Sequence, residues 1–216
     1  VTTLVVIAKE PLPGRAKTRL HPPLTLEQAA LVAAAAIDDT LRALRDIAAT
    51  RRILLFDGDI RPPNSEGYDI VPQVGGTLDV RLGALFNECD GPTILVGMDT
   101  PQLTSAHIAP AFAPWEVDAW FGPASDGGFW ALGMREPRGD LIRGVEMSTD
   151  RTGADQLDRL YSAGLSVGML AQLDDVDTID DARLVAALAP ASQFAKVLDE
   201  FGALEPPEDI RRPASP

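Results

Sequence analysis

Cysteine is nearly absent from this sequence. Cys89 stands alone among 216 residues, which excludes an intramolecular disulfide and any cysteine-rich metal site, and leaves a buried, inert thiol as its expected state. Histidine is almost as scarce, and His21 and His107 do not stand at metal-ligand spacing. No Gly-x-Ser-x-Gly occurs, which excludes a serine-hydrolase elbow. No Gly-x-Gly-x-x-Gly occurs either, and Gly14-Arg15-Ala16-Lys17-Thr18 is not a phosphate loop, because Ala16 replaces the glycine that should precede the lysine. No stretch approaches the roughly 18 apolar residues that span a bilayer. The apolar run Thr3 to Ala8 is short and ends in Lys9 and Glu10, so it reads as neither a signal peptide nor an anchor. The expectation is a cytoplasmic protein with no membrane partner. Positive charge is also in deficit: 32 Asp and Glu stand against 19 Lys and Arg, a net charge of −13. Such a field repels polyanions and argues against a nucleic-acid partner.

What is present describes one sizeable core, with 45% apolar and 24% charged residues. The pattern predicts a single α/β domain over residues 1–204, a mostly parallel sheet flanked by helices, followed by a disordered tail over 205–216, EPPEDIRRPASP. Nothing in the sequence speaks to oligomeric state. Strands are expected at Thr3–Ala8, Arg52–Phe56, Tyr68–Val71, Thr93–Val96, Ala119–Phe121, Phe129–Leu132 and Leu165–Leu170. Helices are expected from a Thr25/Gln28 capping box to about Ala48, from Thr77 to about Asn87, and from Thr104 to about Phe112. Three more open at Ser148 or Thr149, at Thr178 and at Phe194. The first helix carries Leu26, Ala30, Ala33, Ile37, Leu41 and Leu44 on one face.

The stretch VTTLVVIAKEPLPGRAKTRL organises the chain. A buried strand runs into a loop with Lys9, Arg15, Lys17 and Arg19, stiffened by Pro11, Pro13 and Gly14. A cationic loop beyond the carboxyl end of a strand is placed to meet an anionic, phosphorylated ligand. Gln73-Val74-Gly75-Gly76 reads either as a strand-to-helix turn or as a place where backbone approaches a flat ligand and the Gln73 amide reads a base edge. Asp99, in Gly97-Met98-Asp99-Thr100-Pro101, either starts a turn or ligates Mg²⁺ beside phosphate oxygens. Ser125-Asp126-Gly127-Gly128 reads as a hairpin turn or as a ligand loop. Asp174-Asp175-Val176-Asp177 reads as a solvated face with a helix cap, or as a second carboxylate for the Asp99 metal.

Four ordered motifs, Ala8-Lys9-x-Pro11-x-Pro13-Gly14-x-x-Lys17-Thr18-Arg19-Leu20, Gly97-x-Asp99-x-Pro101-x-Leu103, Gly122-Pro123-Ala124-x-Asp126-Gly127-Gly128 and Asp175-Val176-Asp177-Thr178, resemble an uncharacterised bacterial family of glycosyltransferase A-type fold. That family is usually labelled nucleotide-diphospho-sugar transferase, and it is similar to nucleotidyltransferases such as the 2-phospho-lactate guanylyltransferases. The resemblance covers about residues 3–188. It implies that Lys17 and Arg19 contact phosphates and that the nucleotide lies along Ala8, Lys9, Gly14, Gln73, Gly75 and Gly76, with Gln73 facing the base. It also implies that Asp99 and Asp177, with Asp175 as second choice, bind Mg²⁺ (or Mn²⁺), and that Asp126, Gly127 and Gly128 line the acceptor side. The chain departs from the family pattern at Thr77-Leu78-Asp79-Val80-Arg81 and at Met147, where tryptophan is common.

The expected activity is glycosyl transfer from a nucleoside diphosphate sugar to a small-molecule acceptor. Lys17 and Arg19 would offset charge on the departing diphosphate, and Asp126 would act as general base. The anionic 125–128 loop favours this reading, since a phosphorylated acceptor wants cations. The alternative is nucleotidyl transfer from a nucleoside triphosphate with release of pyrophosphate, which four loop cations suit. A third reading, a non-catalytic nucleotide-binding module, predicts loss of the metal carboxylates, whereas Asp99 and Asp177 are both present.

Overall fold

The structure, a computed structural model, describes residues 2–205; the tail expected over 205–216 lies outside the described residues except for Glu205. The strands are β1 (Thr3–Lys9), β2 (Arg51–Asp57), β3 (Asp69–Pro72), β4 (Thr93–Val96), β5 (Ala119–Pro123), β6 (Phe129–Met134) and β7 (Val167–Met169). The helices are α1 (Leu26–Ala43), α2 (Leu78–Asn87), α3 (Ser105–Ile108), α4 (Thr152–Ser162), α5 (Ile179–Leu188) and α6 (Gln193–Glu200), with short 3₁₀ turns at Thr18–Leu20, Ala109–Phe112 and Gly139–Leu141. The strands form one sheet in the order β3-β2-β1-β4-β6-β5-β7. β6 runs antiparallel to its neighbours β4 and β5, while the β1–β2, β1–β4, β2–β3 and β5–β7 pairs are parallel. The expected mostly parallel α/β sheet is present.

Strand alternation sets the layers. Leu4, Val6 and Ala8 of β1 and Leu54 and Phe56 of β2 face Ile37 and Leu41 of α1 and Leu44 just beyond its end. Val5, Ile53 and Leu55 face the opposite way, toward Leu82, Leu85 and Phe86 of α2. Cys89 is free and buried, and burial pushes its thiol up.

Helix α1 differs from expectation in two ways. It is buried on two faces, because Ala29, Val32 and Ala36 also pack under Phe194 and Leu198 of α6. The alanines bring the two helices close, and the Asp39 carboxylate accepts hydrogen bonds from the Gln193 and Phe194 amides at 3.0 and 2.7 Å, at the start of α6. It also stops at Ala43 rather than near Ala48. The Arg52 guanidinium donates to the carbonyls of Arg45, Ile47 and Ala49, in the turn that follows the helix. Helix α4 likewise opens at Thr152 rather than at Ser148 or Thr149. Ser148 sits in the left-handed region at φ 62°, and the Thr152 hydroxyl accepts from the Thr149 amide while donating to Glu146 O.

Candidate functional site

At the carboxyl ends of β1, β2, β3, β4 and β5 the chain encloses a cleft of about 700 Å³. Strand order divides its lining. The β1-β2-β3 side with α2 contributes Ile7, Ala8, Lys9, Asp57, Gln73, Leu78, Arg81 and Leu82, and the other side contributes Asp99, Thr100, Asp126, Asp175 and Asp177. Lys17 and Arg19 reach into the lining from the loop after β1.

On the acidic side, the Lys17 ammonium lies 2.6 Å from Asp99 Oδ1 and 3.9 Å from Asp177 Oδ1, and it donates to Val176 O; its side chain is 6% exposed. Arg19 Nη1 lies 2.8 Å from Asp177 Oδ2. The Val176 amide donates to Asp99 O at 3.0 Å, tying the loop after β4 to the 175–178 segment. One oxygen each from Asp126, Asp175 and Asp177 lies within 4.8 Å of the others. Such an all-oxygen, hard-donor set fits Mg²⁺ or Mn²⁺. Asp99 stands beside this group, joined to Asp177 through Lys17. The buried Thr100 hydroxyl, on the same wall, has no hydrogen-bond partner among the described residues.

Burial pushes the Asp175 carboxyl up to about 6 from the usual 3.8; the Asp126 and Asp177 charges add to this, and Lys17 opposes it. A carboxyl raised on folding stabilises the protein below its unfolded value, and that contribution is lost as pH rises through about 6. In EDTA, the melting temperature of the wild type is therefore expected to fall more steeply between about pH 4 and 7 than that of Asp175→Asn. Parallel curves would remove Asp175 as the source.

On the other side, the Gln73 amide nitrogen donates to Ala8 O at 2.9 Å and Leu55 O at 3.2 Å, and its oxygen accepts from Arg81 Nη1 at 3.0 Å. Arg81 Nε donates to Gly76 O at 2.8 Å, and Nη1 lies 3.4 Å from Asp57 Oδ2. The sequence reading did not single out Arg81 or Asp57 as site residues. The available signal was position: Arg81 falls on the first turn of α2, directly after the crevice end of β3.

Not every expected residue meets the cleft. Gly14, Gly75, Gly76 and Gly127 do not line it, whereas Gly128 does. Arg15 is exposed and outside it. Gly127 is packed against backbone: at φ +89°, a Cβ there would lie 2.1 Å from Asp150 O. Its carbonyl accepts from Gly153 N at 2.8 Å, while Asp126 Oδ1 accepts from Gly128 N at 2.7 Å. The segment is thus a hairpin connection between β5 and β6 that also carries Asp126 into the cleft. Gly127→Ala is expected to cost about 2–4 kcal/mol, through the clash and the left-handed backbone together. Urea denaturation measures this, and a change below about 0.5 kcal/mol would contradict it.

A sheet of this order with a cleft at its carboxyl edge defines the nucleotide-diphospho-sugar transferase fold. The chain superposes on a protein assigned as a nucleotide-diphospho-sugar transferase from Desulfovibrio desulfuricans G20 with a TM-score of 0.83 and 24% identity, over 94% of this chain and 96% of that one. It is also similar to 2-C-methyl-D-erythritol 4-phosphate cytidylyltransferase from Thermus thermophilus (TM-score 0.53, 18% identity, 86% and 98% covered). The inositol-1-phosphate CTP transferase from T. maritima is a further likeness (0.55, 11%, 91% and 96%). Residues 29–149 match the profile of a family described as uncharacterized proteins conserved in bacteria (DUF2064), and the chain belongs to that family. No curated protein sequence matches the chain.

Proposed function

We propose that the protein is a nucleotide-dependent transferase that moves a glycosyl group from a nucleoside diphosphate sugar to a small acceptor bearing a hydroxyl. The observation that carries this is the charge of the cleft. Asp57, Asp99, Asp126, Asp150, Asp175 and Asp177 line it against Lys9, Lys17, Arg19 and Arg81, six acids to four bases, and Lys17 and Arg19 are already paired with acids. A triphosphate needs more free positive charge than this lining offers, and a phosphorylated acceptor would meet carboxylates. A diphosphate sugar and a neutral hydroxyl suit it better.

Asp175 and Asp177 of the oxygen cluster, with Asp99 beside them, would hold Mg²⁺ or Mn²⁺, which would supply neutralising charge for the diphosphate, and Asp126, the third member of the cluster, is left to the acceptor. Lys17 and Arg19 stand beside the same carboxylates and offset charge on the departing diphosphate. Asp126, exposed and oriented by the Gly128 amide, takes the proton of the acceptor hydroxyl as the sugar–diphosphate bond breaks. Nucleotidyl transfer is the second reading, favoured by the naming of two similar structures for transfer from CTP or of a cytidylyl group.

Thermal-shift measurements with Mg²⁺ test this. One nucleoside diphosphate sugar is expected to raise the melting temperature by about 5–10 °C near a hundredfold excess over its Kd, and by more than the triphosphate of the same base. Preference for the triphosphate would establish the second reading instead, and no shift with any nucleotide would overturn both. Among the described residues no helix is long and apolar enough to cross a membrane; we place the reaction in the cytoplasm, which fractionation of the source cells would check.

A further inference from the structure

We propose that Arg81 and Asp57, held in register by Gln73, read the nucleobase and select bases with a lactam edge, guanine and uracil, over the amino-edged adenine and cytosine. This rests on the nucleotide-dependent reading above and adds the substrate class to it.

Gln73 is not available for the task. Both of its amide hydrogens are taken by Ala8 O and Leu55 O, and its oxygen accepts from Arg81. With both donors committed, the amide has none left to offer the carbonyl of a base edge. What it does is fix the guanidinium plane. Arg81 is anchored through Nη1 to Gln73 Oε1 and Asp57 Oδ2 and through Nε to Gly76 O. Nη2 has no partner among the described residues, and Arg81 lines the cleft.

Asp57 supplies the other half. It lies at the end of β2, lines the cleft, and keeps a side chain 41% exposed beside Arg81. A fixed N–H donor next to a carboxylate acceptor is the complement of a carbonyl next to a ring N–H. Guanine offers that pair at O6 and N1, and uracil at O4 and N3. Adenine and cytosine place an amino group beside an unprotonated ring nitrogen, setting donor against donor and acceptor against acceptor. Ile7, Ala8, Leu78 and Leu82 line the same part of the cleft and offer apolar surface to a planar ring.

The test is the set of dissociation constants of GDP, UDP, ADP and CDP with Mg²⁺, measured by calorimetry on the full chain. The wild type is expected to bind GDP or UDP at least about tenfold more tightly than ADP and CDP, the discrimination that polar base contacts typically give. Arg81→Met should reduce that ratio to within about threefold. Arg81→Lys keeps the charge but not the fixed fork, so it should lose the ratio while retaining more of the overall affinity. Asp57→Asn, which offers both a donor and an acceptor, should relax discrimination against the amino bases. Nucleotide binding without base preference, or a ratio unchanged in the folded Arg81 variants, overturns this inference and leaves the transferase reading standing. Absence of binding by all four nucleotides overturns both.

Discussion

Asp177→Asn is expected to remove the metal dependence of nucleotide binding and to lower the transfer rate about 10²–10³-fold, while leaving the fold almost untouched. Asp177 belongs to both charge systems of the cleft. It joins Asp126 and Asp175 in the oxygen cluster, and it pairs with Arg19 at 2.8 Å and approaches Lys17 at 3.9 Å. The amide keeps the shape and removes the charge. Arg19 then loses its partner, but its side chain is 72% exposed, so the cost to stability stays below about 1 kcal/mol. Lys17 keeps Asp99 at 2.6 Å. Two measurements separate the effects: calorimetric titration of nucleotide with and without Mg²⁺, and the urea midpoint. Equal Mg²⁺ enhancement in wild type and variant would rule Asp177 out as a metal ligand.

Lys17→Met has the opposite profile and is expected to cost about 2–4 kcal/mol of folding free energy. Methionine replaces the aliphatic stem, but the ammonium that lies between Asp99 and Asp177 is gone, and Val176 O loses its donor. Breaking a fully buried ion pair costs about 3–5 kcal/mol. Here Asp99 and Asp177 are 47% and 42% exposed, so water screens part of the repulsion. Millimolar Mg²⁺ should restore part of the loss by supplying the missing positive charge. An unchanged urea midpoint would mean that the ammonium does not hold the loop.

Much of the fold was legible where local chemistry decides it. Thr93–Val96 stands at the bounds its apolar run predicts, the Thr25/Gln28 capping box closes as its spacing requires, and the helix expected to open at Thr178 does so, with that hydroxyl accepting from the Asp181 amide. Boundaries set by distant groups were not legible. Beyond the end of α1 the chain is held by Arg52 from β2, and a left-handed residue at Ser148, which its sequence does not announce, delays the start of α4. The site divides the same way. A cationic loop, a carboxylate after a central strand and an acidic segment can each be read separately. That Lys17 is paired with Asp99 is a tertiary fact, and so is the commitment of the Gln73 amide to two backbone carbonyls. Arg81 stood in the segment Thr77–Arg81 that departs from the family pattern, but its place in the cleft depends on tertiary contacts with Gln73 and Asp57 that the segment does not reveal.

The contact between Lys17 and Val176 spans 159 residues of chain, and that between Arg19 and Asp177 spans 158. The side of the cleft that carries Gln73 and Arg81 is complete by Leu82, whereas the acidic side waits for Asp175 and Asp177, after β7. During synthesis, then, Asp99 is available to Lys17 soon after the first wall emerges, whereas Val176 and Asp177, the other partners of Lys17 and Arg19, come only after β7. Contacts of such long sequence separation form late and slow folding. The acidic half of the cleft is therefore complete only when the segment after β7 has folded, and a chain interrupted before Asp175 lacks both Asp175 and Asp177 on that side.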